Sequence, residues 1–249
     1  MIVKELEDVY LLPGMLTLAE VDCLYQLGQF NQRAGVIVEI GSWKGKSTVA
    51  LARGAAKAHG EKVYAIDPHT ILPDEGYFEN TEIDFLTNIK TAGVGQLVVP
   101  MVMTSADAAR GWDKPIRLLW IDGDHRYEPT NLDFTLWEPH LVEGGILAMH
   151  DTIRKEGPKR VLWERVFRSN RFQEICIVDN ITAVRKVKKA SVGARVNKSL
   201  ALALRALYIA ARKSSVPASK TSGRRLLRKL TSQPWLPALL LVFSMNIAR

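Results

Sequence analysis

A length of 249 residues and a hydrophobic content of 47% allow one α/β domain with a sizeable core, together with an extension. The first ten residues carry acids and no apolar run, unlike a secretory signal. The net charge of +8 is divided unevenly: residues 180–249 hold 15 Lys and Arg and no acid, whereas residues 1–179 hold 19 basic and 26 acidic residues, a net charge of −7. This asymmetry predicts an anionic partner for the basic part, such as a membrane surface, an acidic glycan or nucleic acid.

The start of the chain, residues 1–33, is predicted to form a helical cap. Thr17 and Glu20 have the spacing of a capping box, and residues 21–30 follow with apolar residues at helical spacing. This segment contains Cys23, and the second cysteine of the chain is Cys176. Because neither lies in a CxxC motif and both are in apolar stretches, we expect two buried thiols in a reduced, cytoplasmic protein.

Residues 34–189 alternate between short apolar runs and helix-like segments, which predicts an α/β domain. A pair of runs with a three-residue connection reads as a closing β-hairpin. We therefore predict a Rossmann-like, seven-stranded, mostly parallel sheet with a C-terminal antiparallel hairpin. The predicted strands are residues 36–40, 62–66, 97–101, 118–121, 145–149, 172–178 and 182–187.

The junction VIVEIGSWKGKSTVA, residues 36–50, is typical of a strand, a glycine-containing turn and a helix N-terminus, where nucleotide-like cofactors bind in open α/β sheets. One interpretation is a phosphate-binding P-loop, but position 40 is Ile where that motif needs Gly. The other is the loop of S-adenosylmethionine (SAM) methyltransferases, similar to E/D-x-G-x-x-x-G-x-S. This second pattern makes the following residues candidates for binding the cofactor: Glu39, Gly41, Ser42, Gly45 and Ser47.

Two further strand ends carry residues suited to a nucleoside. Asp67 ends the second predicted strand, where a carboxylate can accept hydrogen bonds from both ribose hydroxyls. Ser105 and Ala106 follow the third strand, where small residues can line an adenine pocket.

The densest cluster of acids and histidines is IDGDHRYE at residues 121–128, followed after the next strand by MHDT at residues 149–152. Because these strands are neighbours in the predicted sheet, Asp122, His150 and Asp151 are expected to converge at one edge. Two carboxylates and an imidazole form a plausible set of ligands for a divalent metal. Because Mg²⁺ prefers oxygen ligands, His150 favours Mn²⁺, Fe²⁺ or another softer ion, or else supports the ligands without binding the metal itself. The alternative is that these side chains only cap loops through hydrogen bonds.

Together, EIGSWKGKS, AIDP, WIDGDHRYE and LVEGGILAMHD resemble the class I SAM-dependent O-methyltransferases of bacterial sugar, macrolide and glycan pathways. The motif layout is also similar to that of catechol and caffeoyl-CoA O-methyltransferases. The resemblance places Asp122 at the position of a metal ligand beside the cofactor and His125 at the position of a catalytic lysine. We expect His125 to be the catalytic base, because the unperturbed pKa of an imidazole, about 6.5, suits proton transfer near neutrality, with Asp124 as the second candidate. The resemblance implies Asp-Asp at the last pair, whereas this chain has His150 and Asp151.

The resemblance predicts transfer of a methyl group to a hydroxyl of a sugar or related polyol, as a small molecule or glycan, with divalent-metal assistance. A SAM-fold protein that is hydroxylase-like or noncatalytic is the alternative. A nucleic-acid methyltransferase is disfavoured, because the acidic body repels phosphate. Residues 190–249 are predicted to be a basic, helical extension that contacts the inner face of a membrane peripherally, or that packs on the body or on a second protomer.

Overall fold

A seven-stranded sheet with helices on both faces organises the computed structural model, which describes residues 4–30, 34–70 and 80–191. Short 3₁₀ turns lie at Lys4–Leu6 and Glu138–His140, and a π-helical turn lies at Leu162–Phe167. The helices are α1 (Glu7–Leu11), α2 (Leu18–Gln29), α3 (Lys46–Lys57), α4 (Glu82–Thr91), α5 (Ser105–Ala109), α6 (Tyr127–Trp137) and α7 (Glu156–Val161). The strands are β1 (Val36–Ile40), β2 (Val63–Ile66), β3 (Val98–Met101), β4 (Ile116–Ile121), β5 (Leu141–Met149), β6 (Phe172–Val178) and β7 (Ile181–Lys186).

The strand order is β3-β2-β1-β4-β5-β7-β6, with β1 to β5 parallel and β7 antiparallel to both β5 and β6. The order reverses between β1 and β4, which is where open α/β sheets bind ligands. The predicted mostly parallel sheet with its closing hairpin is therefore confirmed. The parallel strands also share one carboxyl edge, and the residues that follow them there are Gly41, Asp67, Val102, Asp122 and His150.

The largest difference from the predicted strand boundaries is in β5, which begins at Leu141 and not near residue 145. The strand runs through Gly144 and Gly145 with an irregular register: Ile116 pairs with Leu141 and Leu118 with Ile146. Gly144 has φ of +82°, a conformation that favours glycine. The pair therefore forms a bulge inside the strand.

Each face of the sheet is covered by its own apolar layer. On one face, Leu24 of α2, Leu51 of α3 and Phe85 of α4 are completely buried. On the other face, Trp137 of α6 and Val161 of α7 are completely buried as well. The sheet is thus sandwiched between helices, so only its edges and loops are open to ligands.

Helices α2 and α3 cross in close contact because each has a glycine at the crossing. A Cβ on Gly54 would lie 2.1 Å from the Tyr25 carbonyl oxygen, and one on Gly28 would lie 2.5 Å from the Leu51 carbonyl oxygen. Distances this short to backbone atoms exclude any larger residue without a shift of the helices. This crossing holds α2 against α3 and the sheet.

The two ends of α2 are tied down by different groups. At its start, the predicted capping box is present: the Glu20 backbone N–H donates to Thr17 Oγ1 (3.2 Å), and the Thr17 backbone N–H donates to Glu20 Oε2 (2.8 Å). At its end, the buried guanidinium of Arg117 in β4 donates to the carbonyl oxygens of Gly28 (2.8 Å) and Phe30. These bonds satisfy the helix-end groups that have no partner within the helix.

Some predictions concern residues that the structure does not describe. Those for the extension beyond residue 191 lie outside the described residues. In the part of the chain that is described, no helix combines the length and the apolar character needed to span a membrane. Cys23 and Cys176 are both free thiols; Cys23 is buried as expected, whereas Cys176 is only partly buried.

Candidate active site

The glycine turn between β1 and α3 is held by hydrogen bonds to Asp67, the acid that follows β2. Asp67 Oδ2 accepts the backbone N–H groups of Ser42 (2.9 Å) and Trp43 (2.8 Å), and Oδ1 accepts that of His69 (2.7 Å). Trp43 has φ of +42° between Gly41 and Gly45, at +84° and +87°. Successive amides in such a conformation form a concave anion-binding nest, and here a carboxylate fills part of it. Since a carboxylate accepts about four hydrogen bonds, Asp67 has roughly one left for a ligand.

The same turn lies against the end of β4. A Cβ on Gly41 would lie 2.3 Å from the carbonyl oxygen of Asp122 and 2.8 Å from the Cα atom of Gly123. The Asp122 N–H donates to the Ile40 carbonyl oxygen (2.8 Å), which continues the pairing of β1 with β4. Glycine at position 41 is therefore what brings the cofactor turn and the acidic loop into contact.

Glu39 and Ser47 support the turn from inside the protein. Both are buried, and Glu39 Oε2 accepts a hydrogen bond from the Thr48 hydroxyl (2.5 Å). Burial raises the pKa of Glu39 to about 8; the hydroxyls of Ser47 and Thr48 oppose this rise, and the charges of Asp122 and Asp67 add to it. These two predicted cofactor residues are thus brought to the turn, where they hold the first turn of α3.

Ser105 and Ala106 begin α5 at the same edge. Ser105 Oγ accepts a hydrogen bond from Trp137 Nε1 (2.8 Å) and also contacts the carboxyl of Asp133. Asp133 is buried beside Gly123. Burial raises the pKa of Asp133 to about 6; the hydrogen bond with Ser105 opposes this rise, and the charge of Asp124 adds to it. Sequence reasoning missed Asp133, because an acid on a helix is ordinarily exposed to solvent and nothing in the sequence marks this one as buried.

The acids and histidines after β4 and β5 converge as predicted. His150 Nδ1 lies 3.1 Å from Asp122 Oδ1, and His125 Nε2 lies 3.1 Å from Asp151 Oδ2. The two pairs are joined, because Asp151 Oδ2 also lies 3.8 Å from His150 Nδ1. The hydrogen bond to Asp151 raises the pKa of His125, despite its partial burial.

Asp124 lies apart from these four side chains. It accepts the Arg126 backbone N–H (2.7 Å) and pairs with the Arg126 guanidinium (2.6 Å). Partial burial opposes ionisation, but the bonds to Arg126 lower the pKa of Asp124. A carboxylate that is neutralised in this way is a weaker proton acceptor than His125.

Glu20 of the N-terminal cap is an unexpected member of the cluster. It is completely buried, and its Oε1 accepts the Asn180 N–H (2.9 Å) and lies 3.3 Å from His150 Nε2. Burial lowers the pKa of His150, but its contacts with Asp122 and Glu20 outweigh burial and raise it to about 10. The capping box predicted where Glu20 lies along α2, but nothing in the sequence indicated its contact with His150.

The predicted metal set does not fit a metal ion as the residues are placed. His150 Nδ1 lies 3.1 Å from Asp122 Oδ1 and Nε2 lies 3.3 Å from Glu20 Oε1, although Nε2 makes no hydrogen bond among the described residues. A carboxylate beside each ring nitrogen favours the imidazolium form, which has no lone pair to donate to a metal ion. Within residues 4–30, 34–70 and 80–191, no group of three or more His, Cys, Asp or Glu side chains has the arrangement of a metal site.

Comparisons with known proteins agree with this fold. Residues 38–152 match the family described as "Methyltransferase domain". The O-methyltransferase NovP superposes with a TM-score of 0.61 at 19% identity over 70% of this chain and 82% of that one. TomG, an O-methyltransferase from Streptomyces achromogenes solved with SAM, gives 0.55 at 16% identity over 74% and 90%.

A curated relative also matches by sequence. It is "Uncharacterized protein R132" of Acanthamoeba polyphaga mimivirus, 26% identical over 120 residues, or 46% of this chain. The chain spans about half the length of this relative, 50%. At these identities, the solved structures establish the fold and leave the chemistry to be argued from the residues.

Proposed function

We propose that residues 38–152, which match the methyltransferase-domain family, form a class I SAM-dependent methyltransferase domain, and that the chain transfers the methyl group of SAM to a hydroxyl of a sugar or related polyol. The observation that carries the proposal is the position of the His125–Asp151 pair. It follows β4 and β5 at the carboxyl edge of the sheet, where the glycine turn and Asp67 also lie. A cofactor turn beside a base that is oriented by a carboxylate is what methyl transfer to a hydroxyl requires.

The turn has groups free to hold SAM, the cofactor with which TomG was solved. Gly45 is the N-cap of α3 and offers no side-chain acceptor, so the first amides of the helix suit the cofactor's carboxylate. The buried hydroxyl of Ser42 has no hydrogen-bond partner among the described residues. Asp67 has one acceptor position left for a ribose hydroxyl, and Ser105 and Ala106 would line the adenine side.

His125 is placed to take the proton of the acceptor hydroxyl. The contact of 3.1 Å between Nε2 and Asp151 Oδ2 favours the tautomer with the proton on Nε2, which leaves the lone pair of the neutral ring on Nδ1. The side chain is 37% exposed, so a substrate can reach it. SAM supplies an electrophilic methyl group when bound, and the protein aligns the acceptor and removes its proton. No step uses a metal, since the arrangement around His150 does not fit one.

The cofactor part of the proposal is tested by calorimetric titration of the full chain with S-adenosylhomocysteine (SAH). Asp67→Ala removes the acceptor for three backbone amides and should weaken SAH binding about tenfold or more. Asp113→Ala is the matched control, because Asp113 is exposed and pairs only weakly with Lys114. A folded wild-type protein that does not bind SAH would refute the proposed function.

The acceptor is tested by transfer of radiolabelled methyl groups from SAM to a panel of nucleotide sugars, glycolipids and polyols. His125→Ala should lower turnover about 10²-fold or more while SAH affinity stays near wild type. His59→Ala, at an exposed position, is the control. If RNA or DNA is methylated and no compound of the panel is, the proposed sugar acceptor is wrong and the chain is a nucleic-acid methyltransferase. Normal turnover of His125→Ala would remove that residue from the role.

The proposal extends to location and partners. Residues 180–249 contain 15 basic residues and no acid. This positive charge would hold a cytoplasmic enzyme at an anionic membrane surface, where lipid-linked glycans are accessible. Cosedimentation of the full chain with vesicles that contain 30% anionic lipid, compared with zwitterionic vesicles, tests this location. Light scattering of the same sample tests the homo-oligomer that such an extension could form.

A further inference from the structure

A buried histidine lies at the centre of the acidic cluster, in contact with three carboxylates. The distances are 3.1 Å from His150 Nδ1 to Asp122 Oδ1, 3.8 Å from Nδ1 to Asp151 Oδ2, and 3.3 Å from Nε2 to Glu20 Oε1. The side chains of Glu20, Asp122 and Asp151 are 0%, 20% and 13% exposed. Three carboxylates that are largely removed from water repel one another unless a cation lies between them.

We infer that His150 takes the place that a divalent cation would occupy, and that the site needs no metal. Because a carboxylate lies beside each ring nitrogen, the imidazolium form is favoured; it neutralises part of the negative charge of the three carboxylates and orients Asp122 and Asp151. The orientation reaches His125, because Asp151 contacts both imidazoles. Only one consequence of the inference, that methyl transfer is independent of metal, rests on the proposed function.

Two observations support a resident cation over an absent metal. First, the contacts of His150 come from three separate elements: Glu20 from α2, Asp122 from the end of β4, and Asp151 beside it after β5. Second, His150 is packed in place: it is 6% exposed, its backbone N–H donates to the Ile121 carbonyl oxygen (3.0 Å), and its ring lies 5.8 Å from that of Trp120.

The experiment measures thermal unfolding of the full chain with SAH, in the presence and absence of MnCl₂. Wild type should shift by less than about 1 °C with Mn²⁺, because His150 blocks the site. The variant His150→Asp replaces the cation by a fourth carboxylate and should gain about 5 °C or more at a saturating Mn²⁺ concentration. His150→Asn removes the imidazole without adding charge and should gain clearly less.

Repulsion between four carboxylates could prevent folding of the single variant without metal. The double variant Glu20→Gln/His150→Asp keeps three carboxylates and is the second test, with the same expected gain. A wild-type shift with Mn²⁺ that disappears in Asp122→Asn would overturn the inference. So would a folded His150→Asp, alone or in the double variant, that ignores Mn²⁺. The shift caused by SAH alone reports the proposed function separately.

Discussion

The contact between the cofactor turn and the acidic loop can be tested at Gly41. Substitution by Ala forces a Cβ into φ of +84°, which costs an L-residue about 1–2 kcal/mol. The same Cβ would lie 2.3 Å from the carbonyl oxygen and 2.6 Å from the carbonyl carbon of Asp122. Both are backbone atoms, so no side-chain rotation relieves the overlap, and overpacking adds about 1–3 kcal/mol. We expect Gly41→Ala to lower the free energy of unfolding by about 2–5 kcal/mol.

Gly93→Ala is the matched control for this substitution. Gly93 has φ of +70°, but a Cβ there meets nothing within 4 Å, so only the backbone cost of about 1–2 kcal/mol applies. Urea unfolding followed by circular dichroism gives both free energies, and SAH titration gives the effect on the site. Gly41→Ala should also weaken SAH binding, whereas Gly93→Ala should not. Losses of unfolding free energy that agree within about 0.5 kcal/mol would refute the close approach as the cause.

Three other substitutions test separate parts of the structure. Arg117→Met removes the donors to the carbonyl oxygens of Gly28 and Phe30 and should cost about 2–4 kcal/mol in urea unfolding; a loss below about 1 kcal/mol would contradict the proposed support of α2. Glu39 has a folded pKa of about 8, above the value of 4.5 expected when unfolded, so its contribution to stability is full below pH 4.5 and is lost as the pH rises through 8. Glu39→Gln should therefore remove a slope of up to about 1.4 kcal/mol per pH unit in this window, and an unchanged pH profile of unfolding would show that Glu39 is not buried as a neutral acid. Asp133→Ala removes a partner of Ser105 and should weaken SAH binding about tenfold, an effect that an unchanged titration would exclude.

The sheet and the strand-end residues were predictable because a parallel sheet places its strand ends at one edge. Once the order of β1, β4 and β5 is inferred, Asp122, His125, His150 and Asp151 must lie near each other, whatever their exact contacts. The glycine turn and Asp67 follow from the same reasoning applied to β1 and β2. Alternation of apolar runs with helical segments carries enough information for this level of detail.

Side-chain contacts between distant segments were not predictable. The sequence shows Glu20 as a helix cap, and only the packing of α2 on α3 brings its second oxygen to His150. Asp133 reads as a solvated helical acid until its burial beside Trp137 and Ser105 is known. The metal prediction depended on Asp122, His150 and Asp151. Glu20 changes that prediction, because it places a carboxylate beside the second ring nitrogen of His150.

The close crossing of α2 and α3 makes α2 part of the unit that must fold together with the sheet. The matched family span begins at residue 38, after α2, yet Tyr25 and Gly28 touch the backbone of α3 almost directly. A chain shortened to begin at the first strand would expose the apolar side of α3 and leave His150 with one fewer carboxylate. Such a truncated protein should aggregate on expression.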